Sequence, residues 1–428
     1  SEVGLKDATA SAYAVPEAER KGAVALVLGA GNVSSIAPLD CFQKLFQEHQ
    51  VVLLKMNPVN AHLADHLRAA LRPLIERDAL RIVEGNGAAG AYLTEHSSVD
   101  EVHITGAEAT HDAIVWGQGE AAEKARKSGT PRNPRRITSE LGAVCPTIVV
   151  PGPWSRADIL FQAEHIATQK MQNSGFNCVA CQVLVMPGEW DLKDRLLREV
   201  KRVIARQTRL AYYPGAEARL AAFAEAGEAE QIARGDAPAF PLAPHRPGLH
   251  AETEIFAPAM SVKEIGGEGA GYLEAAIAFA NEGLRGTLGA NIIIHPKTLE
   301  AMGKRRFDAL LGELRYGAIG VNIWSGAAFA FPHMPWGAFP GHTLADVGSG
   351  IGKVHNAFMF DRAEKAVVWG PWAPFPRSLK EGQGTLMPKP PWFVTHKSAD
   401  KAAEALTEFT AKPKLGRLAR LIWHNLRG

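Results

Sequence analysis

Few residues in this chain are suited to covalent chemistry, and cysteine leads them. Among 428 residues only Cys41, Cys145, Cys178 and Cys181 carry a thiol, and a thiolate is the strongest nucleophile a protein offers near neutral pH. A thiolate that attacks a carbonyl carbon turns the carbonyl oxygen anionic, and that oxygen needs hydrogen-bond donors. Releasing a later thioester as an acid requires water activated by a base, a task suited to a half-buried carboxylate with a raised pKa. Two local patterns offer other chemistry and are poor candidates. Cys178-Val-Ala-Cys181 has the spacing of a redox or metal pair, but it lacks the second pair zinc would use and any thioredoxin-like setting. Gly29-Ala30-Gly31 follows an apolar run as a dinucleotide loop would, yet Ser34 stands at the third glycine position and no acid follows the next run at Lys55.

A third pattern is spread along the chain, and its weight lies in order and context. It runs Gly31-Asn32-Val33, Lys55-Met-Asn-Pro58, His103-Ile-Thr-Gly106, Ser139-Glu140-Leu-Gly142, Asn173-Ser-Gly175-Phe-Asn-Cys178 and Glu254-Ile-Phe256-Ala-Pro258. The elements around these residues alternate β-branched runs with helical spacing, the mark of a mostly parallel sheet. Strands are predicted at Val24–Leu28, Val51–Lys55, 79–84 and 101–105, with helices over 40–49, 62–76 and from 108 onward. A further strand at 137–139 leads into Glu140, while 119–136, basic and broken by two prolines, reads as a solvated loop. Beyond it, strands are predicted at 147–150, 183–186 and 290–294, and helices over 156–170, 192–205 and 273–282.

The fold class is therefore α/β. A doubly wound Rossmann-type dinucleotide domain is expected over 1–143, an α/β catalytic domain with Cys178 over 144–350, and a return, linker and amphipathic tail over 351–428. The Pro- and Gly-rich stretch 370–392 reads as a strap. In the tail, Leu415, Leu418, Ile422 and Leu426 share one helical face; packing on the body or a partner subunit is expected of it ahead of adsorption to an anionic membrane.

From about Ala23 to about Gly352 the spaced series resembles the aldehyde dehydrogenase superfamily. The resemblance implies an aldehyde dehydrogenase-like fold and oxidation of an aldehyde to its acid with NAD or NADP. It makes Cys178 the nucleophile, Glu140 the base for thioester hydrolysis, and Asn32 with the Cys178 N–H the oxyanion donors. Lys55 would hold the adenosine ribose, Gly106 would let the backbone approach the dinucleotide, Glu254 would bind the nicotinamide ribose and Phe256 would lie near its ring. Gly320-Val-Asn322-Ile-Trp324 and Met334-Pro-Trp336-Gly337 resemble the substrate-side loop, with Trp336 lining the aldehyde tunnel and ordinary core burial open for Trp324.

Departures from the family pattern are informative. Pro58 stands where many NAD-preferring members have a ribose-binding glutamate, which leaves NADP open, and His111 and Ala143 replace glycines. Only some 22 residues precede Ala23, so the family's front segment is expected to be missing. A coenzyme A-acylating dehydrogenase or acyl-thioester reductase is the neighbouring reading, although Glu140 favours hydrolysis; an inactive nucleotide- or partner-binding scaffold is the reading from another class. Lys plus Arg number 47 against 45 Asp plus Glu, so no charge argument for nucleic acid exists. No metal site is expected; His333 and His342 lack companion ligands. The absence of a disulfide framework, of a leader and of a membrane-length apolar run points to a cytoplasmic protein, expected as a homo-oligomer.

Overall fold

The computed structural model describes residues 11–20, 22–385 and 387–428. The expectation about a missing front segment concerns a stretch whose residues 1–10 and 21 lie outside those described. The strands in chain order are β1 (Val24–Leu28), β2 (Val51–Lys55), β3 (Leu80–Val83), β4 (Glu101–Gly106), β5 (Arg136–Leu141), β6 (Cys145–Val149) and β7 (Cys181–Pro187). They continue with β8 (Glu230–Arg234), β9 (Ala237–Pro244), β10 (Met260–Ile265), β11 (Gly289–Ile293), β12 (Ala318–Val321), β13 (Gly350–Ile351) and β14 (Ala366–Trp369).

These strands form two sheets. The first has the order β13-β5-β4-β1-β2-β3 and is parallel except for β13, which pairs antiparallel with β5. The second has the order β14-β12-β11-β6-β7-β10-β9-β8 and is parallel except for the β8–β9 hairpin. Parallel strands need helical crossovers, which bury both faces, so interior strands read as unbroken apolar runs. In β1, Leu26 faces a cluster with Val115 and Trp116, whereas Val27 faces Ala37, Cys41 and Ala64. The second sheet repeats the plan: Ile148 and Val185 pack with Leu273 and Phe307 on one side, and Val149 and Leu184 with Ile159 and Ile166 on the other. Each such side chain contributes about 1.5–3 kcal/mol on burial.

The structure departs from the sequence reading at two places in these elements. Residues 119–136 are no loop, because Gly119–Ser128 forms a helix closed by Gly129 in the left-handed region at φ 65°. Its Ala122 and Ala125 pack with Trp116, Arg126 pairs with Asp112, and the remaining cations form its wet face. Gly320 and Val321 belong to β12, an interior strand, rather than to a substrate loop. The tail helix, Leu415–Asn425, buries none of its residues and packs on the helix Ala399–Ala411. No helix among the described residues is long and apolar enough to cross a membrane.

Candidate active site

β1, β2, β4 and β5 end together, where parallel sheets place ligands, and their ends line a cavity of about 1090 Å³. Asn32, Lys55, Gly106, Glu140, Cys178, Glu254 and Phe256 all border it, so residues separated by more than two hundred positions in sequence share one wall.

Cys178 is delivered by an unusual turn. The helix Arg156–Met171, opened by a Ser155–Asp158 capping box, runs into Asn173 and Ser174 at φ 51° and 54° and Gly175 at φ 82°. Asparagine tolerates the left-handed region, but position 175 requires glycine, since a Cβ there would lie 2.9 Å from the Ala257 carbonyl carbon. The turn is stapled to the loop after β1. Asn173 Nδ2 donates to the Asn32 carbonyl at 3.0 Å, and Asn32 Nδ2 donates to the Phe176 carbonyl at 2.9 Å. The Cys178 N–H donates to nothing among the described residues.

Across the cleft the Cys178 thiol donates to Glu140 Oε1 at 3.3 Å, and Glu140 Oε2 is buried without a partner. Glu140, the penultimate residue of β5, lies opposite Gly350 of β13, where a Cβ would collide with the Ser139 carbonyl oxygen at 2.1 Å. Burial, then the charge of Asp40, push the Glu140 carboxyl up to about 7, while Trp336 and Cys178 oppose the rise. Burial and the neighbouring Glu140 and Glu254 hold the Cys178 thiol well above its ordinary range. Cys145 donates to the Cys178 carbonyl at 3.4 Å, and Cys181 points into the core against Met260, so the Cys178–Cys181 spacing forms no paired site.

Glu254 lies flat against Gly142, where a Cβ would sit 1.9 Å from its carboxyl carbon. Arg219 fixes this segment from below by donating to the Ile255 and Phe256 carbonyls at 2.9 and 3.1 Å. Phe256, at φ 41°, packs on Phe176 and Tyr213. Burial pushes Glu254 up to about 8; Lys170 and Arg219 oppose the shift and Glu140 adds to it. Lys55 ends β2 with its pKa lowered by burial and has no carboxylate partner among the described residues.

Trp336 lies elsewhere. It is buried against Phe329 and lines a second cavity of about 720 Å³ with His103, Thr138 and Lys353. Glu140 borders both cavities and forms the wall between them. Behind Glu140, buried Asp40 accepts from Thr105 Oγ1 at 2.8 Å, with His103 Nε2 3.6 Å away. Trp324 is a core residue whose indole donates to the Val179 carbonyl at 2.9 Å, and His342 is bound to Thr287 Oγ1.

Sequence reasoning missed Asp40, Lys170, Tyr213 and Arg219. No local motif surrounds them, and their importance appears only where they meet Glu140, Glu254 and Phe256. Two observations fit a dinucleotide in the first cavity. The Glu254 Oε1 atom is buried and unpartnered, as a carboxylate awaiting a hydroxyl donor would be. A Cβ at Gly106 would meet only Ile104, at 3.6 Å, so the protein's own packing does not require the glycine that leaves this wall open.

Cys178, just before β7 of the second sheet, thus meets Glu140, near the end of β5 of the first, at the cleft between the two sheets. Residues 51–228 match the aldehyde dehydrogenase family. The fold is similar to that of an NAD-dependent aldehyde dehydrogenase from Sinorhizobium meliloti, with 21% identity and a TM-score of 0.59 over 80% of this chain and 65% of that one. It is also similar to gamma-glutamyl-gamma-aminobutyraldehyde dehydrogenase from Burkholderia cenocepacia, at 20% identity and TM-score 0.60 over 79% of this chain and 66% of that one. An indole-3-acetaldehyde dehydrogenase solved with NAD+ matches at the same identity, TM-score and coverages. The chain thus spans just under two thirds of the length of these structures. Comparison with curated proteins returns no match.

Proposed function

We propose that the protein oxidises an aldehyde to its carboxylic acid, with Cys178 as nucleophile and Glu140 as base. The observation that carries this reading is the 3.3 Å contact from the Cys178 thiol to Glu140 Oε1 at the wall of the larger cavity. A thiol held neutral needs a base at the moment of attack, and a carboxyl pushed up to about 7 is matched to that task near neutral pH. As the C–S bond forms, the sulfur's proton passes to Glu140 and the carbonyl oxygen becomes anionic. The free Cys178 N–H and the second hydrogen of Asn32 Nδ2 stabilise that oxygen.

NAD or NADP, when bound, supplies the hydride acceptor. Glu254 would hold its nicotinamide ribose, Phe256 would lie by the ring, Lys55 would take the adenosine ribose, and the open face of Gly106 would admit the diphosphate. Pro58 opens a 3-10 turn away from the cavity and offers no carboxylate to repel a 2′-phosphate, so this position does not discriminate between the two dinucleotides. Once oxidation has left a thioester on Cys178 and Glu140 has passed the thiol's proton on to solvent, the carboxylate takes a proton from water. The resulting hydroxide adds to the acyl carbon, the C–S bond breaks and the acid leaves. The aldehyde carbonyl is assigned to the larger cavity with the dinucleotide, where Cys178 and Asn32 border it. As in many enzymes of this fold, assembly of more than one copy is expected.

Steady-state reduction of NAD and NADP with a panel of aldehydes tests the reading. Cys178→Ala should abolish turnover while leaving dinucleotide binding by titration calorimetry intact. Undiminished turnover would remove Cys178 as nucleophile, and acyl-coenzyme A as the product when coenzyme A is supplied would replace hydrolysis by acyl transfer.

A further inference from the structure

The helices Ala399–Ala411 and Leu415–Asn425 pack on each other as a hairpin that leaves the outer side of the second uncovered. Leu415 is 86% exposed, Ile422 50%, Trp423 57% and Leu426 49%, whereas Leu418 and Leu421 are half-buried. At roughly 100° per residue, the four exposed apolar side chains and Ala419 fall within an arc of about 100°. Leu406 of the first helix, 52% exposed, adds apolar surface to the same hairpin.

Charge follows the same pattern. From 412 to 428 the chain carries Lys412, Lys414, Arg417, Arg420 and Arg427 and no carboxylate, although its overall formal charge is only +2. Arg420 pairs with Glu404 and Glu408, and Arg417 donates to the Glu408 carbonyl, so these two tie the hairpin together. Lys412 and Lys414 have no carboxylate partner among the described residues, and Arg427 lies over the Trp423 ring at 5.0 Å.

We propose that this helix adsorbs, lying in the plane, to an anionic lipid surface. An apolar stripe with a tryptophan on it and unpaired cations beside it is complementary to an acyl boundary topped by anionic headgroups. A second copy is a poorer occupant, because two-fold pairing of the stripe would set the same cations against one another. A helix of this length, roughly 16 Å, cannot span the hydrocarbon core.

Co-sedimentation of the full chain with vesicles of phosphatidylcholine and phosphatidylglycerol in equal parts, against phosphatidylcholine alone, tests this. The protein should sediment only with the anionic vesicles and be released by high salt. Ile422→Asp with Trp423→Asp should abolish binding. Lys412→Gln with Lys414→Gln should weaken it by on the order of 10-fold or more. All four positions are exposed, so thermal unfolding and dinucleotide binding should match the parent. No sedimentation, or sedimentation unaffected by these substitutions, overturns the proposal. A dimer by light scattering that Ile422→Asp dissociates, without vesicle binding, assigns the face to a second copy instead.

Discussion

Replacing Glu140 with glutamine should stabilise the protein at alkaline pH while disabling the chemistry assigned to it. The carboxyl is fully buried, and desolvation followed by the Asp40 charge pushes it from an ordinary 4.5 to about 7. The sign follows from linkage. Between those two values the folded protein keeps a proton that the unfolded chain has lost, so the group's stabilising contribution is complete below about 4.5 and is lost as pH rises through about 7. At 1.36 kcal/mol per pH unit, ionising Glu140 costs the native state about 3 kcal/mol by pH 8. Glutamine has the same shape and no charge to desolvate. In urea unfolding followed by tryptophan fluorescence, without cofactor, the E140Q protein should therefore gain about 3 kcal/mol on its parent between pH 4.5 and pH 8. Glu254 titrates in an overlapping range but is present in both proteins, so most of its effect cancels in the difference. Steady-state turnover of E140Q should fall further than its first burst of cofactor reduction. A stability difference that stays constant between the two pH values would refute both the burial argument and the assignment of a near-neutral base.

Two other substitutions probe the same wall. Gly142→Ala places a Cβ 1.9 Å from the Glu254 carboxyl carbon and must displace it; dinucleotide affinity should drop at least about 10-fold, with Cys178 still alkylated by iodoacetamide, and unchanged affinity would detach Glu254 from the cofactor. Asp40→Asn removes the charge that raises Glu140 while keeping an acceptor for Thr105; the alkaline-rising limb of kcat against pH should move below 7, and an unmoved limb would show that Asp40 does not tune the base.

β1 and β2 were legible to the residue because Val24–Leu28 and 51–54 are apolar runs, as strands largely buried on both faces must be, and Lys55 closes the second. β9 was not, because Pro238, Pro241 and Pro244 argue against a strand wherever an interior ladder is assumed. The helix Gly119–Ser128 was hidden by its cations and by the prolines that follow it, although Gly129 stood in plain view as its stop signal. The seven residues of the cleft were readable as an ordered series, and the cavity brings them together. Trp336 was read as lining the aldehyde tunnel, but it borders a second chamber that Cys178 does not reach. Arg219 and Asp40 could not be found, because what matters about them is what they touch, and touching is a property of the folded chain.

The two-residue strand β13 has a bearing on biogenesis. Strand β5, which carries the glutamate of the cleft, is bordered on one side only by Gly350 and Ile351, more than two hundred positions downstream. On the ribosome, the front lobe must therefore wait with a bare, hydrogen-bond-hungry margin until nearly the whole second sheet has been made. Nascent chains stalled before Ser349 would expose that margin, so the interval before β13 emerges is when this protein most needs a chaperone.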